Sequence, residues 1–286
     1  YYEKKLDFYT TNLMNKIFQL FKSSKKYSIK WSNYFEIYEK ILKKYVNKKV
    51  TLVEVGVGDG GSLFMWRNFL GNKAKIIGVE LNPDSKKLKK FGFKIFNGDQ
   101  SNPNFWKNFY KKIGKIDILI DDGGHTNLQQ ITTFMESFPH IRNGGSIIIE
   151  DTHTSYMNYK GFKNPSKNSF INFSNVLIEN IHRRNPMIKR KMDQFSKKIY
   201  SIEYYDSIVC ININKRDLRS SQSLENNKKL RMFFTDFRFK KINDNNSKNK
   251  QNWIIKKLFS VISRKGFIYR AYENFRINKY LDKIRN

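Results

Sequence analysis

VTLVEVGVGDGGS at 50–62 opens with an aliphatic run and breaks into Gly56, Gly58 and Gly61, a GxGxxG array. The pattern predicts a buried strand, a tight turn whose backbone can approach a ligand, and a helix N-terminus that receives it. Glu80, about 20 residues on, ends the next apolar run, IIGVE at 76–80, where a carboxylate accepts hydrogen bonds from ribose hydroxyls. Working outward, AKIIGVE (74–80), FKIFNGD (93–99), IDILIDD (116–122) and SIIIED (146–151) recur between mixed segments. Apolar runs alternating with helical spacers predict successive βα units. The expected fold is α/β: a Rossmann-like, doubly wound, mostly parallel sheet with helices on both faces. IYSIEYYDSIVCINI at 199–213 predicts an antiparallel strand pair closing one edge.

The C-terminal ends of two of these runs are acidic, IDILIDDGGH at 116–125 and GGSIIIEDTHTSY at 144–156. Asp121, Asp122, Glu150 and Asp151 are expected to project from neighbouring strand ends at one rim of the sheet. Carboxylates crowded together raise each other's pKa unless a cation or a shared proton offsets the repulsion. An all-oxygen set suits Mg²⁺, Mn²⁺ or Ca²⁺ rather than zinc.

Both NAD and S-adenosylmethionine (SAM) satisfy a glycine loop followed by Glu80. Glu54, immediately before the turn, favours SAM, because a carboxylate there suits a cationic amino-acid moiety and repels a pyrophosphate. Asp99, with Gln100 in NGDQS, is placed after the third strand to accept from an adenine amino group. Ser62 reads either as a partner of the SAM carboxylate or as a helix cap. Asp121 reads as a SAM contact or as an anchor of backbone, and Asp117 as a loop cap.

The 286 residues divide into an N-terminal helical segment at 1–49, a core domain at 50–214, and a basic polar and helical extension at 215–286. In the first segment, Trp31, Tyr34, Phe35, Tyr38, Ile41, Leu42 and Tyr45 fall at the spacing of an amphipathic helix laid on the sheet. A helix is expected around 173–182, after a variable cover at 157–172 that would set the acceptor. In the extension, NDNNSKNKQN reads as linker, and WIIKKLFSVISRKGF predicts a basic amphipathic helix at 253–265. Such a helix docks on its own domain, on a second copy of the chain, or on an anionic membrane surface. The net charge of +30 raises a nucleic-acid partner, but lysine is spread along the whole chain and no RNA-binding signature accompanies it, so nucleic acid is disfavoured. The single cysteine, Cys210, excludes an internal disulfide framework. No run approaches the roughly 20 apolar residues that span a bilayer, and YYEKKLDFYT has no signal-peptide core; the expectation is a cytoplasmic protein.

The stretches KWSNYFEIYEK, LVEVGVGDGGSLFMWR, NGDQSNPNFW, IDILIDDGGH, FPHIRNGGSIIIEDTHTSY and SIEYYDSIVCI, within about 27–214, resemble in order and spacing the class I SAM-dependent O-methyltransferases of the macrolide-sugar type. The resemblance implies a Mg²⁺- or Mn²⁺-dependent methyl transfer to a sugar hydroxyl of a saccharide-containing small molecule. It implies that Asp122, Glu150 and Asp151 hold the metal and that His125 is the general base. His153, two residues beyond Asp151, stands as a second candidate for the base or for a substrate contact. Two alternatives remain open: an RNA methyltransferase using the basic tail, and a non-catalytic protein that binds SAM or metal and partners another enzyme.

Overall fold

The structure, a computed structural model, describes residues 15–158 and 166–224, together with 271, 274–278 and 280–282. The chain divides into two compact units, Tyr1–Gln222 and Ser223–Asn286. In the second, residues 271, 274–278 and 280–282 are helical. The linker at 243–252, the helix expected at 253–265 and part of the cover, 159–165, lie outside the described residues. No described helix is long and apolar enough to cross a membrane.

The first unit is built on strands β1 (Thr51–Val55), β2 (Lys75–Glu80), β3 (Lys94–Asn97), β4 (Ile116–Asp121), β5 (Ile141–Ile149), β6 (Ile199–Tyr205) and β7 (Ile208–Ile213). Their order is β3-β2-β1-β4-β5-β7-β6. β1 to β5 pair in parallel, and β7 runs antiparallel to both β5 and β6. The doubly wound sheet and its antiparallel edge are therefore as the apolar runs indicate. Strand order reverses beside β1, the place where open α/β sheets bind ligands at the strands' carboxyl ends.

Alternation along each strand sorts the core into two layers. Leu52, Ile118, Ile120, Ile148 and Cys210 face α1 (Lys16–Lys22), α2 (Tyr34–Leu42) and α3 (Gly61–Leu70), packing with Phe35, Tyr38, Leu42 and Trp66. Val53, Leu119, Ile147, Ile149 and Val209 face the other way, against Trp106 and Phe109 of α4 (Pro103–Ile113), Phe134 of α5 (Asn127–Ser137) and Phe170 of α6 (Phe170–His182). Each layer is largely apolar, and its removal from water is the main force holding helices to sheet. α2 is shorter than the aromatic spacing suggests: Trp31 precedes it and is 57% exposed, while Tyr45 lies in a following 3-10 turn, Lys43–Tyr45. Residues 215–222 stay with the first unit, where Leu218 N–H donates to the Lys197 carbonyl and Ser221 N–H to that of Arg184.

Register aligns the rim. Val55 pairs with Asp121, and Asp121 with Ile149. The ladder continues one residue further, with Asp122 N–H donating to the Val55 carbonyl and Glu150 N–H to that of Asp121, both at 2.9 Å. Gly56, Asp122 and Glu150 thus stand side by side where the sheet ends. At the opposite end of β4, Asp117 Oδ2 accepts from Thr51 N–H at 2.7 Å and from Arg142 Nη1 at 2.8 Å, tying β1 and β5 to β4. Asp117→Ala is expected to lower stability by about 1–3 kcal/mol, the cost of stranding a backbone donor and a guanidinium; an unchanged urea midpoint would contradict this role.

Candidate active site

A cleft of about 870 Å³ opens over the carboxyl ends of β1, β2, β4 and β5. Gly56, Gly58, Ser62, Glu80, Asp99 and Gln100 line one end, and Asp122, His125, Glu150 and Asp151 line the other. Lys30, Trp31 and Tyr34, from the segment leading into α2, complete the wall.

At the glycine end, Gly56 has φ +80° and Gly60, which caps α3, has φ +91°, a backbone region that glycine enters without a Cβ penalty. Glu80 Oε2 accepts from the Val57 and Gly58 amides at 2.9 and 3.1 Å, and Oε1 from Asn82 N–H at 3.0 Å. The carboxylate expected to meet a ribose therefore also holds the loop in shape. Asp99 Oδ1 accepts from the amide and hydroxyl of Ser101.

Strand alternation corrects two sequence expectations here. Glu54 shares the parity of Leu52, so its side chain turns under the loop toward α3 instead of entering the cleft. It is fully buried, accepting from Ser62 Oγ at 2.7 Å and Trp66 Nε1 at 3.0 Å. Burial pushes its carboxyl up to about 7, against the pull of Lys30. Ser62 is accordingly a donor to Glu54 and not a helix cap, since Gly60 occupies that position. Asp121 shares the parity of Leu119 and turns to the opposite layer, away from Asp122. Gln100 Nε2 donates to it at 2.9 Å and the Gly123 amide at 3.1 Å, and burial lifts its carboxyl to about 6. Asp121 thus anchors Gln100 and the DDGG turn from below.

Asp122 and Glu150 have the parity of Ile120 and Ile148 and emerge on the α2 side. There they meet Lys30, whose side chain is 1% exposed and whose Nζ lies 2.6 Å from Asp122 Oδ2, 2.8 Å from Glu150 Oε2 and 3.8 Å from Glu54 Oε1. Burial disfavours the ammonium, but the three carboxylates outweigh it and keep it protonated. Burial, then Asp122, push the Glu150 carboxyl well above its usual range. Glu150 Oε1 and the Tyr38 hydroxyl are both buried, and the two side chains interact with each other.

Asp151 breaks the alternation with φ +52°, and His125 has φ +57°. Left-handed backbone at non-glycine residues is costly and collects at functional sites. The Thr154 hydroxyl, 2.8 Å from both the His125 and the Asp151 carbonyls, clamps the two turns together. Asp151 Oδ1 accepts from the Tyr34 hydroxyl at 2.6 Å and Trp31 Nε1 at 3.0 Å, while Oδ2 lies 3.2 Å from His125 Nε2. Asp122 Oδ1 is 4.0 Å from the same nitrogen. Asp122, His125 and Asp151 each offer one ligand atom, all within 4.8 Å of one another. The two carboxylates of this group, Asp122 and Asp151, are oxygen donors of the kind that Mg²⁺ or Mn²⁺ takes.

His153 is not in this cleft. It lines a neighbouring groove with Tyr156, Tyr204 and Asp206, its ring edge-on to Trp31 and its Nδ1 3.9 Å from Asp151 Oδ1. Lys30, Trp31 and Tyr34 escaped the sequence reading because KWSNYFEIYEK reads there as an apolar period. The signal for Lys30 was the charge imbalance itself, since clustered carboxylates call for a cation.

No family model matches the chain. Among curated proteins it is 35% identical over 126 residues to mycinamicin VI 2''-O-methyltransferase of Micromonospora griseorubida, covering 42% of this chain and 31% of that protein. It is 31% identical over 165 residues to 8-demethyl-8-alpha-L-rhamnosyl tetracenomycin-C 2'-O-methyltransferase of Streptomyces olivaceus, covering 54% and 43%. The chain thus spans less than half the length of these relatives. Among solved structures, the MycE methyltransferase of the mycinamycin biosynthetic pathway, in complex with Mg and SAH, superposes with a TM-score of 0.59 at 27% identity over 66% of this chain and 50% of that one. The glycine cleft and the carboxylate rim accordingly sit on a Rossmann-like methyltransferase fold, and the chain that forms them is similar to the O-methyltransferases of macrolide and glycosylated-polyketide sugars.

Proposed function

We propose that this chain carries the catalytic core of a divalent-cation-dependent O-methyltransferase that moves the methyl of SAM to a hydroxyl of a sugar or glycosylated small molecule. The observation that carries the reading is continuity: one cleft runs from the Gly56–Gly58 loop and Glu80 directly to Asp122, His125 and Asp151. Cofactor and acceptor are thereby held within reach of each other, and positioning supplies much of the rate of a bimolecular transfer.

SAM would supply an electrophilic methyl, and Asp122 and Asp151 would hold a divalent cation that, when bound, would acidify the acceptor hydroxyl. The His125 imidazole would accept the hydroxyl proton as the new C–O bond forms and the S–CH₃ bond breaks. Asp151 orients that imidazole from 3.2 Å, and Tyr34 with Trp31 fixes Asp151 in turn. Trp31, exposed at the rim, offers an apolar face with a polar edge to a sugar ring.

The test is calorimetric SAM binding together with transfer of labelled methyl to a panel of glycosides, with Mg²⁺ and with EDTA. Asp122→Asn is expected to retain SAM binding and to lose transfer by a factor on the order of 100 or more. Transfer that survives EDTA and Asp122→Asn would defeat the metal-dependent reading, and failure to bind SAM would defeat the enzyme class.

A further inference from the structure

Lys30 is the one lysine or arginine among the described residues that pairs with the carboxylate cluster, and it is almost wholly buried in the cleft wall. Its side chain is 1% exposed, its Nζ sits 5.7 Å from the centroid of the buried Tyr38 ring, and it bridges Asp122 Oδ2 and Glu150 Oε2 with Glu54 behind. These partners come from three adjacent strand ends and reach one layer because they share the same alternation. A lysine there is a singly charged ion on a tether, bound where a free cation would otherwise go. Glu150 is held by Lys30 through Oε2 and also meets the Tyr38 hydroxyl, which carries no charge, so three carboxyl groups share a single ammonium.

We propose that Lys30 is a resident counter-cation that competes with the divalent ion for Asp122 and Glu150, keeping the ion's affinity low and confining it to the Asp122–His125–Asp151 side of the cluster. This rests on the reading that the cluster takes a divalent ion. Asp122 is shared between the two cations, with Oδ2 toward Lys30 and Oδ1 toward His125. A fixed positive charge beside a ligand oxygen repels a second cation, and in a water-poor site that repulsion is strong. Lys30 also gives the buried carboxyl cluster a counter-charge in the absence of the ion, which a buried carboxylate otherwise lacks. Its role is positioning: it acts on the cation through Asp122 and Glu150.

The experiment is titration of the full chain with Mn²⁺ alone, by calorimetry at one pH, for wild type, Lys30→Met, Glu150→Gln and the double variant. Lys30→Met is expected to bind Mn²⁺ at least about tenfold more tightly, and Glu150→Gln more weakly. In the double variant the deleted charges are opposite, so affinity should return toward wild type. A lysine that merely packed would leave Lys30→Met with the wild-type affinity and the double variant with that of Glu150→Gln. If Lys30→Met unfolds because its carboxylates repel, millimolar Mn²⁺ should restore its thermal transition, and the double variant should fold without the ion; absence of both rescues overturns the proposal. Wild-type binding is read separately. If wild type binds Mn²⁺ and folded Lys30→Met binds no more tightly, the competition is wrong while the metal reading stands. If no form binds Mn²⁺, both fall.

Discussion

Gly56→Ala is expected to destabilise the protein by about 3 kcal/mol or more and to remove SAM and cation binding together. A Cβ on Gly56 would lie 1.9 Å from the Asp122 carbonyl oxygen, 2.6 Å from its carbon and 2.8 Å from Gly123 Cα. All three are backbone atoms, so no side chain can swing aside. The Asp122 amide is itself bonded to the Val55 carbonyl, and relief of the clash requires the ends of β1 and β4 to part. Left-handed backbone at φ +80° adds roughly 1–2 kcal/mol of strain for any residue with a Cβ. Gly58 is the control. Its φ is +47° and a Cβ there meets nothing within 4 Å, so Gly58→Ala should cost only that local strain. Urea unfolding of the two variants decides the matter, and equal losses would show that close approach to Asp122 is not what selects glycine at 56.

His125→Asn should slow methyl transfer by about 10²–10⁴-fold, the range a positioned general base contributes, while SAM binding is unchanged. Asparagine is the appropriate replacement because it tolerates the left-handed backbone that His125 adopts at φ +57°, so the turn carrying Asp122 is kept. Its amide cannot take up a proton near neutral pH. Single-turnover rates with labelled SAM separate chemistry from product release. A variant that transfers methyl at the wild-type rate but binds Mn²⁺ poorly would make His125 a ligand and leave the proton acceptor to be found elsewhere.

Strand positions were legible because β1, β2, β4 and β5 are buried on both faces and therefore read as continuous aliphatic runs. The helix after the cover and the antiparallel edge were legible for similar local reasons. Side-chain direction at the rim was not taken from the sequence, although period-2 alternation carries it. Counting from Leu52, Ile118 and Ile148 places Glu54, Asp122 and Glu150 in one layer, and counting from Leu119 places Asp121 in the other. Asp151 escapes such counting because its left-handed backbone breaks the period. Lys30 and Tyr34 could not be assigned from local pattern at all: their partners are set by how α2 docks, a tertiary fact without a sequence period. For Ser62 the sequence left a SAM contact and a helix cap open, and Gly60 already fills the cap position.

Lys30, Trp31 and Tyr34 reach Asp122 and Asp151 across 92, 120 and 117 residues of chain. The βα units between them pair through much shorter loops. Closing long loops has an entropic cost that must be met before the contact repays it, and contacts of high sequence separation form slowly. The N-terminal wall of the cleft therefore has the highest contact order of any part of the site. It is expected to assemble after the βα units that carry the rest of the site.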